Sequence, residues 1–312
     1  MKVKILGTGN AFSLKNYNNC QLLEEEHEGK TRRLLIDAGW ALPYALQNSN
    51  IDLKSIDDIF ISHAHADHIG SMEFIAFMRY DWINKPSHAM NYAELPIYAP
   101  ETSPIIRTYS KYAPNLITNE TFMKELWENS LKGGLQSMEG QNATLETYFV
   151  PIGIKANQKF IWQGWTCSLI QQIHIMTGSM IVSTFGLFME KEGHESLYFV
   201  TDSQHCSPKQ IEVFYNKADV IFQDCETIGT NTLTKEFKFG SGVHANYSQL
   251  AGYKGSNSTI LSDSIKSKMY LTHYQDFVDN GKDFFGNDCT WDELVKTDGF
   301  KGILHVGQEF EF

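Results

Sequence analysis

The sequence predicts an α/β sandwich made of two strand-rich halves, each backed by helices. In the first half, short apolar segments are followed by helical ones, as where Leu34-Leu35-Ile36 precedes the helical stretch 40–47. In the second half, strands dominate from residue 145 to 200, and a helix–strand alternation then resumes. Sheets and helices that each bury one apolar face are stable when they pack in layers. At 312 residues, the chain can bury a sizeable core.

The periodicity and the turn residues predict each element in order. A first strand begins at residue 3 and ends in a glycine turn at 7–10, and the last residues, 302–312, form a closing hairpin. The other expected strands are 20–26, 32–36, 56–62, 95–99, 145–151, 159–162, 165–175, 184–190, 196–200, 220–224 and 268–272. The expected helices are 40–47, 71–82, 103–112, 120–131, 208–215 and 247–253, with a polar loop at 133–142.

The stretch from about 83 to 145 has the least regular pattern. We expect it to be a helical insertion into a single domain spanning 1–312, where it acts as a lid or an oligomer contact.

Composition limits the cellular setting and the partners. Five scattered cysteines without CxxC spacing favour reduced thiols and a cytoplasmic location. No apolar run reaches the roughly 18 residues of a membrane helix, and the N-terminus lacks a signal-peptide core. With a net charge of −11 and four arginines among 26 basic residues, the chain is a poor match for a long nucleic acid. We therefore expect a small substrate and no membrane partner.

Four potential metal ligands fall within six residues, His63-Ala64-His65-Ala66-Asp67-His68. His63 and His65 follow a strand-like stretch and are two residues apart, so an extended backbone sends both imidazoles the same way. Asp67 and His68 follow where the chain turns back, and they are candidates for a second ion. Such clustering favours a metal site over a histidine-rich surface loop.

Four more polar residues directly follow apolar strands: His174, Asp202, Asp224 and His273. A lone histidine in such a place is more often structural. Together with the cluster, however, His174 and His273 supply two further imidazoles, and Asp202 supplies a carboxylate that can bridge two ions.

This set of residues resembles the metallo-β-lactamase superfamily, whose HxHxDH motif is matched in full. The matching residues are His63, His65, Asp67 and His68, followed in order by the later ligands His174, Asp202 and His273. The stretch 35–39 resembles the supporting aspartate motif of that superfamily. The resemblance covers nearly the whole chain except for about 83–145. It implies a four-layer αββα sandwich with a helical insertion and a dinuclear site.

The resemblance also implies which residues hold which ion. One ion would be bound by His63, His65 and His174, the other by Asp67, His68 and His273, with Asp202 between them. Imidazole and carboxylate ligands suit Zn²⁺, and they also accept Mn²⁺ or Fe²⁺. Two ions about 3.5–4 Å apart lower the pKa of a shared water and stabilise the charge that develops during attack. Asp37 is expected to anchor a ligand rather than to bind metal.

The segment after Asp202 indicates the branch of the superfamily. Asp224 and the stretch around His244 resemble the paired carboxylate and histidine motifs of ribonuclease Z and related phosphodiesterases. This implies that His244 faces the site without binding metal and that Asp224 orients it. With Asp67, these two are the candidate catalytic residues. An imidazolium at His244 can protonate a leaving alkoxide or stabilise a phosphoryl oxygen; the alternative is an ordinary loop histidine.

The spacing before Asp202 favours a small substrate. Only 202 − 174 = 28 positions separate it from His174, which leaves no room for the transfer-RNA arm of bacterial ribonuclease Z. The chain is more similar to the cyclic-nucleotide phosphodiesterases, which include phage anti-Pycsar enzymes that destroy cyclic pyrimidine nucleotides. We predict a homodimeric, metal-dependent phosphodiesterase of a small or cyclic nucleotide.

Three alternatives stay open at this point. They are an endoribonuclease that processes RNA 3′ ends, a thioester or lactone hydrolase, and a non-catalytic binding protein on the same scaffold. Residues that contact the substrate are not assigned. Polar residues of the loop after the first strand are candidates for a phosphate or base contact, although a polar turn explains them equally: Ser13, Asn16, Asn18 and Asn19.

Overall fold

The structure is a computed structural model that describes residues 1–84, 113–138, 141–204, 207–226, 242–253, 261–276 and 290–312. The chain divides into two compact units. The first comprises 1–7, 20–169 and 309–312, and the second comprises 8–19 and 170–308. The expectation of one domain over 1–312 stays a prediction.

The first unit contains one large sheet. Its strands are β1 (Lys2–Gly7), β2 (Cys20–His27), β3 (Lys30–Ile36), β4 (Asp58–Phe60), β5 (Asn115–Asn119), β8 (Val150–Ile154) and β16 (Glu309–Glu311). Among the described residues, their order is β16-β1-β2-β3-β4-β5-β8. The pairs from β16 to β3 are antiparallel, and those from β3 to β8 are parallel. The parallel strands are short and apolar, as expected for strands that are buried.

The predicted strands 20–26 and 32–36 are confirmed as β2 and β3, which form a hairpin whose turn has a local cause. Glu28 and Gly29 both have positive φ, at 52° and 71°, as a two-residue turn between antiparallel strands requires. Opposite charges face each other across the strands, for example Glu24 beside Arg33. A small ribbon, β6 (Ser137–Met138) with β7 (Gln141–Asn142), lies in the same unit, as does β9 (Lys159–Trp162).

The helices of the first unit follow most of the predicted stretches. They are Leu42–Asn48, Ala66–Ile69, Met72–Asn84, Glu120–Leu126, Lys132–Leu135 and Leu145–Tyr148, with a 3₁₀ turn at Leu53–Ser55 and a π-helical turn at Trp127–Leu131. Within the described residues, no helix is both long and apolar enough to cross a membrane.

The second unit is built on parallel strands. β10 (Trp165–Thr177) begins in the first unit, where it pairs with β9, and continues here. It is followed by β11 (Met180–Glu190), β12 (Leu197–Phe199), β13 (Val220–Asp224), β14 (Met269–Thr272) and β15 (Gly302–Ile303). The strands β12, β13, β14 and β15 are parallel neighbours in that order, and β11 is antiparallel to β12.

Helices cover the parallel part of this second sheet. They are Pro208–Gln210, continued by a π-helical turn at Ile211–Tyr215, then Tyr247–Ala251, Asp263–Lys266 and Trp291–Thr297. Tyr247, Leu250 and Val295 are fully buried against strand residues such as Ile221 and Leu271. The buried apolar face of each helix thus fixes the strands whose ends carry the candidate ligands.

Three sequence predictions are wrong. Residues 145–148 form a helix instead of a strand, because Thr144 and Thr147 make a reciprocal capping box and β8 starts only at Val150. The polar loop at 133–142 contains the end of a helix and the ribbon of β6 and β7. Residues 302–312 are not a hairpin, since β15 pairs with β14 and β16 pairs with β1. The expected strand 95–99 and helix 103–112 lie outside the described residues.

One buried carboxylate of the first unit, that of Asp58, is hydrogen-bonded to three other side chains. The Asp58 carboxylate has no exposure, and it accepts hydrogen bonds from Arg32, from Asn115 Nδ2 at 2.7 Å and from Trp162 Nε1 at 2.9 Å. Burial raises the pKa of Asp58, while the Arg32 charge and the two hydrogen bonds oppose the rise. A buried carboxylate is tolerated only when its partners stay in place.

We predict that Arg32→Met lowers the free energy of unfolding by about 3–5 kcal/mol, because it leaves the Asp58 carboxylate buried without its cation. Denaturant unfolding measures the loss. The matched control is Arg33→Met, which removes a half-exposed pair with Glu24 and should cost only about 0–1 kcal/mol. Equal effects of the two substitutions would contradict this assignment.

Candidate metal centre

The first group of candidate ligands follows β4. In the first unit β3 and β4 are parallel neighbours, with Ile36 beside Phe60, so their carboxyl ends meet at one edge of the sheet. Asp37 directly follows β3, and His63 lies three residues beyond the end of β4. The helix Ala66–Ile69 then starts after His65 and carries Asp67 and His68. All of these side chains are buried except that of His65, which is partly exposed.

Asp37 holds this group together through three hydrogen bonds. Its carboxylate accepts from Ser62 N at 2.8 Å, from Ser62 Oγ at 2.8 Å and from His68 Nδ1 at 2.7 Å. Since the Ser62 hydroxyl donates to Asp37, it accepts from His63 Nδ1 at 3.0 Å. The Nδ1 atoms of both histidines are thereby engaged, and Nε2 is the nitrogen on the opposite side of each ring. This agrees with the expected anchoring role of Asp37, and it adds Ser62, which the motif did not single out.

The donor atoms of this group have the spacing of ligands on a shared ion. His63 Nε2 lies 3.0 Å from His65 Nδ1, and His68 Nε2 lies 3.3 Å from Asp67 Oδ2. Two ligands on a tetrahedral Zn²⁺, with bonds of about 2.0–2.1 Å, are roughly 3.3 Å apart. The residues present therefore fit a divalent ion at each of these two pairs.

His174 lies inside a strand, as the predicted strand over 165–175 implies, and not directly after the apolar stretch that precedes it. β10 continues to Thr177, so alternation decides the direction of each side chain: Gln172 and His174 are buried, and Ile173 between them is exposed. His174 Nδ1 donates to the carbonyl of Val243 at 2.8 Å, which fixes the ring. Burial lowers the pKa of His174 against the opposing charge of Asp202, which favours the neutral form that binds metals.

Asp202 and His273 are placed by parallel strands of the second unit. Asp202 comes three residues after β12, and His273 follows β14 directly. Each Asp202 oxygen faces a different imidazole: Oδ1 lies 3.2 Å from His273 Nε2, and Oδ2 lies 3.8 Å from His174 Nε2. A carboxylate that bridges two ions needs its two oxygens directed at different ligand groups, and Asp202 meets that condition.

A second buried carboxylate, Asp224, ends β13 and contacts two histidines. His244 Nδ1 donates to its Oδ2 at 3.0 Å, and His273 Nδ1 lies 3.3 Å from its Oδ1. Burial acts to lower the pKa of His244, but the charges of Asp224 and Asp202 outweigh it, and the pKa is raised. Burial acts to raise the pKa of Asp224, but His244 and His273 hold it below its usual value. The pair is thus a carboxylate beside an imidazole that favours its charged form.

Two residues of these groups adopt left-handed backbone conformations. Asp37 has φ of 61° and His273 has φ of 64°, and each directly follows a strand. Such conformations cost non-glycine residues of order 1 kcal/mol or more, and they persist where the surroundings over-determine them. Here the hydrogen bonds of the Asp37 carboxylate, and the contacts of the His273 ring with Asp202 and Asp224, supply that restraint.

The polar loop after β1 is occupied by internal hydrogen bonds. The carboxylate of Asp276, three residues after His273, accepts from Ser13 Oγ and from the backbone nitrogens of Leu14 and Lys15. Asn18 Nδ2 donates to Asn10 O at 3.2 Å, and Asn19 Oδ1 accepts from Thr272 at 2.7 Å. These contacts favour the polar-turn interpretation of the loop. No motif in the sequence singles out Asp276, because its partners lie more than 250 residues away along the chain.

Solved structures identify the fold. The metallo-β-lactamase fold protein YhfI from Bacillus subtilis has a TM-score of 0.60 at 16% identity and covers 99% of each chain. Zn²⁺-bound PqqB from Methylobacterium extorquens has a TM-score of 0.62 at 12% identity over all of both chains. Human tRNase Z, short form, has a TM-score of 0.57 at 12% identity and covers 100% of this chain and 99% of its own. The chain therefore has the metallo-β-lactamase fold, and its described residues include groups of histidine and aspartate side chains that could hold a metal ion.

The chain belongs to the anti-Pycsar protein Apyc1 family, whose profile matches residues 1–93 and 105–292. The anti-Pycsar protein Apyc1 of Bacillus phage BSP38 is 26% identical over 295 residues and covers 91% of both chains. That of Paenibacillus harenae is 27% identical over 281 residues, 89% of this chain and 92% of the relative. Family and fold together make the chain a metal-dependent phosphodiesterase of small, cyclic nucleotides.

We predict that Asp37→Ala weakens divalent-metal affinity about 10- to 100-fold, because it removes the acceptor that orients His68 and, through Ser62, His63. Chelator competition with a zinc indicator measures the affinity. The control is Asp52→Ala, which removes a surface helix-cap bond to Lys54 N in the same unit and should leave affinity unchanged. Unchanged affinity in Asp37→Ala would contradict the anchoring role.

Proposed function

We propose that this phosphodiesterase opens the ring of a cyclic mononucleotide by hydrolysis, at a centre of two divalent ions. Two features of the chain favour a small substrate: its net charge of −11, and the absence of a long arm between His174 and Asp202. Membership of the anti-Pycsar family favours a cyclic nucleotide over an RNA 3′ end. We further propose that the enzyme acts in the cytoplasm as a homodimer.

The proposed ligand sets follow the superfamily motif. One ion would be held by His63, His65 and His174 and the other by Asp67, His68 and His273, and Asp202 would supply a carboxylate oxygen to each. The donor spacings of 3.0–3.8 Å within each unit support this assignment. All of the donors are imidazole nitrogens or carboxylate oxygens, which suits Zn²⁺, and PqqB of the same fold is Zn²⁺-bound. Mn²⁺ and Fe²⁺ are the alternatives.

When bound, the ions would lower the pKa of a water molecule and offset the negative charge that develops on the phosphoryl oxygens. Side chains of this chain orient the water, move the protons and hold the ligands in place. Asp67 orients the attacking water and accepts its proton. The ligand histidines are held in one tautomer by Asp37 and Val243, so they bind without rearrangement.

The observation that carries the proposal is the contact between His244 and Asp224. A buried carboxylate holds His244 Nδ1 at 3.0 Å, and the same imidazole lies 3.8 Å from Asp202 Oδ2. His244 thus lies beside Asp202, the proposed bridging ligand, and Asp224 fixes the orientation of its ring. It can therefore donate a proton to a substrate group that reacts at the proposed metal centre. The His244 side chain is partly exposed, so a substrate can reach it.

In the proposed reaction, the water oxygen forms a bond to phosphorus and one ring P–O bond breaks. The ring oxygen leaves as an alkoxide and takes a proton from His244 Nε2, while the proton of the water goes to Asp67. The product is a phosphomonoester, the linear mononucleotide. Asp224 stabilises the charged imidazolium before the transfer and keeps its ring aligned.

We predict that the purified protein converts cyclic mononucleotides to linear mononucleotides and leaves precursor transfer RNA intact. A panel of 2′,3′- and 3′,5′-cyclic nucleotides with each base, separated by ion-exchange chromatography, reads out substrate and product. Dialysis against EDTA should abolish turnover, and added Zn²⁺ should restore it. Cleavage of the RNA alone, or of a thioester or lactone alone, would overturn the proposed substrate class.

We predict that His244→Ala lowers kcat about 10²- to 10⁴-fold, because the leaving oxygen then lacks a proton donor. Metal content should not change, since His244 is not among the proposed ligands. Substrates with a more acidic leaving alcohol, such as a nitrophenyl phosphodiester, should be far less affected. The exposed His305→Ala serves as the control and should behave like the parent protein. Loss of metal in His244→Ala would instead make His244 a ligand.

A further inference from the structure

The loop that follows β1 carries the most exposed large apolar side chain among the described residues. Phe12 is 86% exposed, and Leu14, two residues further along, is 74% exposed. Single apolar residues are ordinary on protein surfaces, so exposure alone assigns no role to Phe12. What distinguishes Phe12 is its place beside a proposed metal ligand and the hydrogen bonds that hold its loop.

Two backbone hydrogen bonds join this loop to the residue after His273. Tyr274 N donates to the carbonyl of Thr8 at 3.2 Å, and Asn10 N donates to the carbonyl of Tyr274 at 3.2 Å. Phe12 is two residues beyond Asn10, and two residues of chain span at most about 7 Å. The backbone of Phe12 therefore lies near that of His273. All of these residues belong to the second unit.

The turn that carries Phe12 is held on both sides. On one side, Phe12 N donates to Asn10 Oδ1 at 3.0 Å. On the other, the Asp276 carboxylate accepts from Ser13 Oγ and from the next two backbone nitrogens, at 2.5 and 2.8 Å. The polar groups of the turn are thus used internally, while the Phe12 side chain stays exposed. A side chain on a turn that is already fixed binds a ligand at a low ordering cost.

A cyclic nucleotide has an aromatic base as well as a phosphate. The side chains proposed to bind metal or to move protons are imidazoles and carboxylates, which act at the phosphate. Aromatic side chains bind bases by stacking. Among the phenylalanine, tyrosine and tryptophan side chains that the structure describes in the second unit, only that of Phe12 is largely exposed. Tyr274 is 5% exposed and donates to Leu304 O at 2.7 Å, so its ring is not accessible to a base.

We propose that Phe12 binds the base of the cyclic nucleotide by stacking, while the phosphodiester is bound at the candidate metal centre. This deepens the proposed function and rests on it, since it takes a cyclic nucleotide as the substrate. Every base has a π-face, and stacking does not read hydrogen-bonding groups. Phe12 therefore supplies affinity for a base without choosing among bases. The Asp276 carboxylate keeps the turn, and with it Phe12, in place beside His273.

The test compares steady-state turnover of cyclic nucleotides by the metal-loaded full chain and by substituted chains. Phe12→Ala should lower kcat/KM about 10- to 100-fold for every base, mainly through a higher KM, because a stacking contact with the base is lost. Phe12→Trp restores an aromatic face and should keep the parent value. The matched control is Leu14→Ala, which removes an exposed apolar side chain of the same turn that has no aromatic ring. This control should leave kcat/KM unchanged.

A substrate without a base separates stacking from damage to the site. Phe12→Ala and the parent chain should turn over a ribose 3′,5′-cyclic phosphate that lacks the base equally well, and both should hold the same amount of Zn²⁺.

An unchanged KM for cyclic nucleotides in Phe12→Ala, or an equal loss with the base-free substrate, overturns the role of Phe12 and leaves the reaction intact. So does a lower mass of Phe12→Ala in solution together with an unchanged KM, since Phe12 would then contact a second copy of the chain. A parent chain that neither binds nor hydrolyses a cyclic nucleotide refutes the proposed function, and the role of Phe12 with it.

Discussion

The candidate site depends on a requirement of buried imidazoles: one ring nitrogen needs an acceptor, and that acceptor fixes where the other nitrogen points. Asp37 accepts from His68, the Val243 carbonyl from His174, and Asp224 from His244. The two carboxylates lie at the ends of strands and are almost fully buried. The sheets therefore orient the ligands through these acceptors, before any ion is bound.

Parallel strands supply the acceptors and the ligands at the same edges. In the first unit Asp37 and Ser62 follow neighbouring parallel strands, and they meet through hydrogen bonds of 2.8 Å. In the second unit Asp202, Asp224 and His273 lie at or just beyond the ends of three neighbouring parallel strands. Carboxyl ends of parallel strands lie side by side, so residues distant in sequence become neighbours. The buried helices behind each sheet keep the strands in register.

The sequence predicted those parts of the site whose residues are close together along the chain. The cluster at 63–68 lies in one strand–turn–helix segment, where spacing alone limits geometry. The rest depends on partners far along the chain. The strand through His174 runs on because β11 pairs with it, and residues 302–312 separate because their partners are β14 and β1. The roles of Ser62 and of the Val243 carbonyl come from contacts that no residue pattern records.

The proposed function requires that the chain bind two divalent ions. The most direct test is the metal content of the full chain, measured by inductively coupled plasma mass spectrometry after reconstitution with Zn²⁺ and removal of the excess. Two tightly held ions per chain are predicted, both retained against a weak chelator. One ion per chain, or none, would contradict the two-ion centre even if the fold and the family assignment stand.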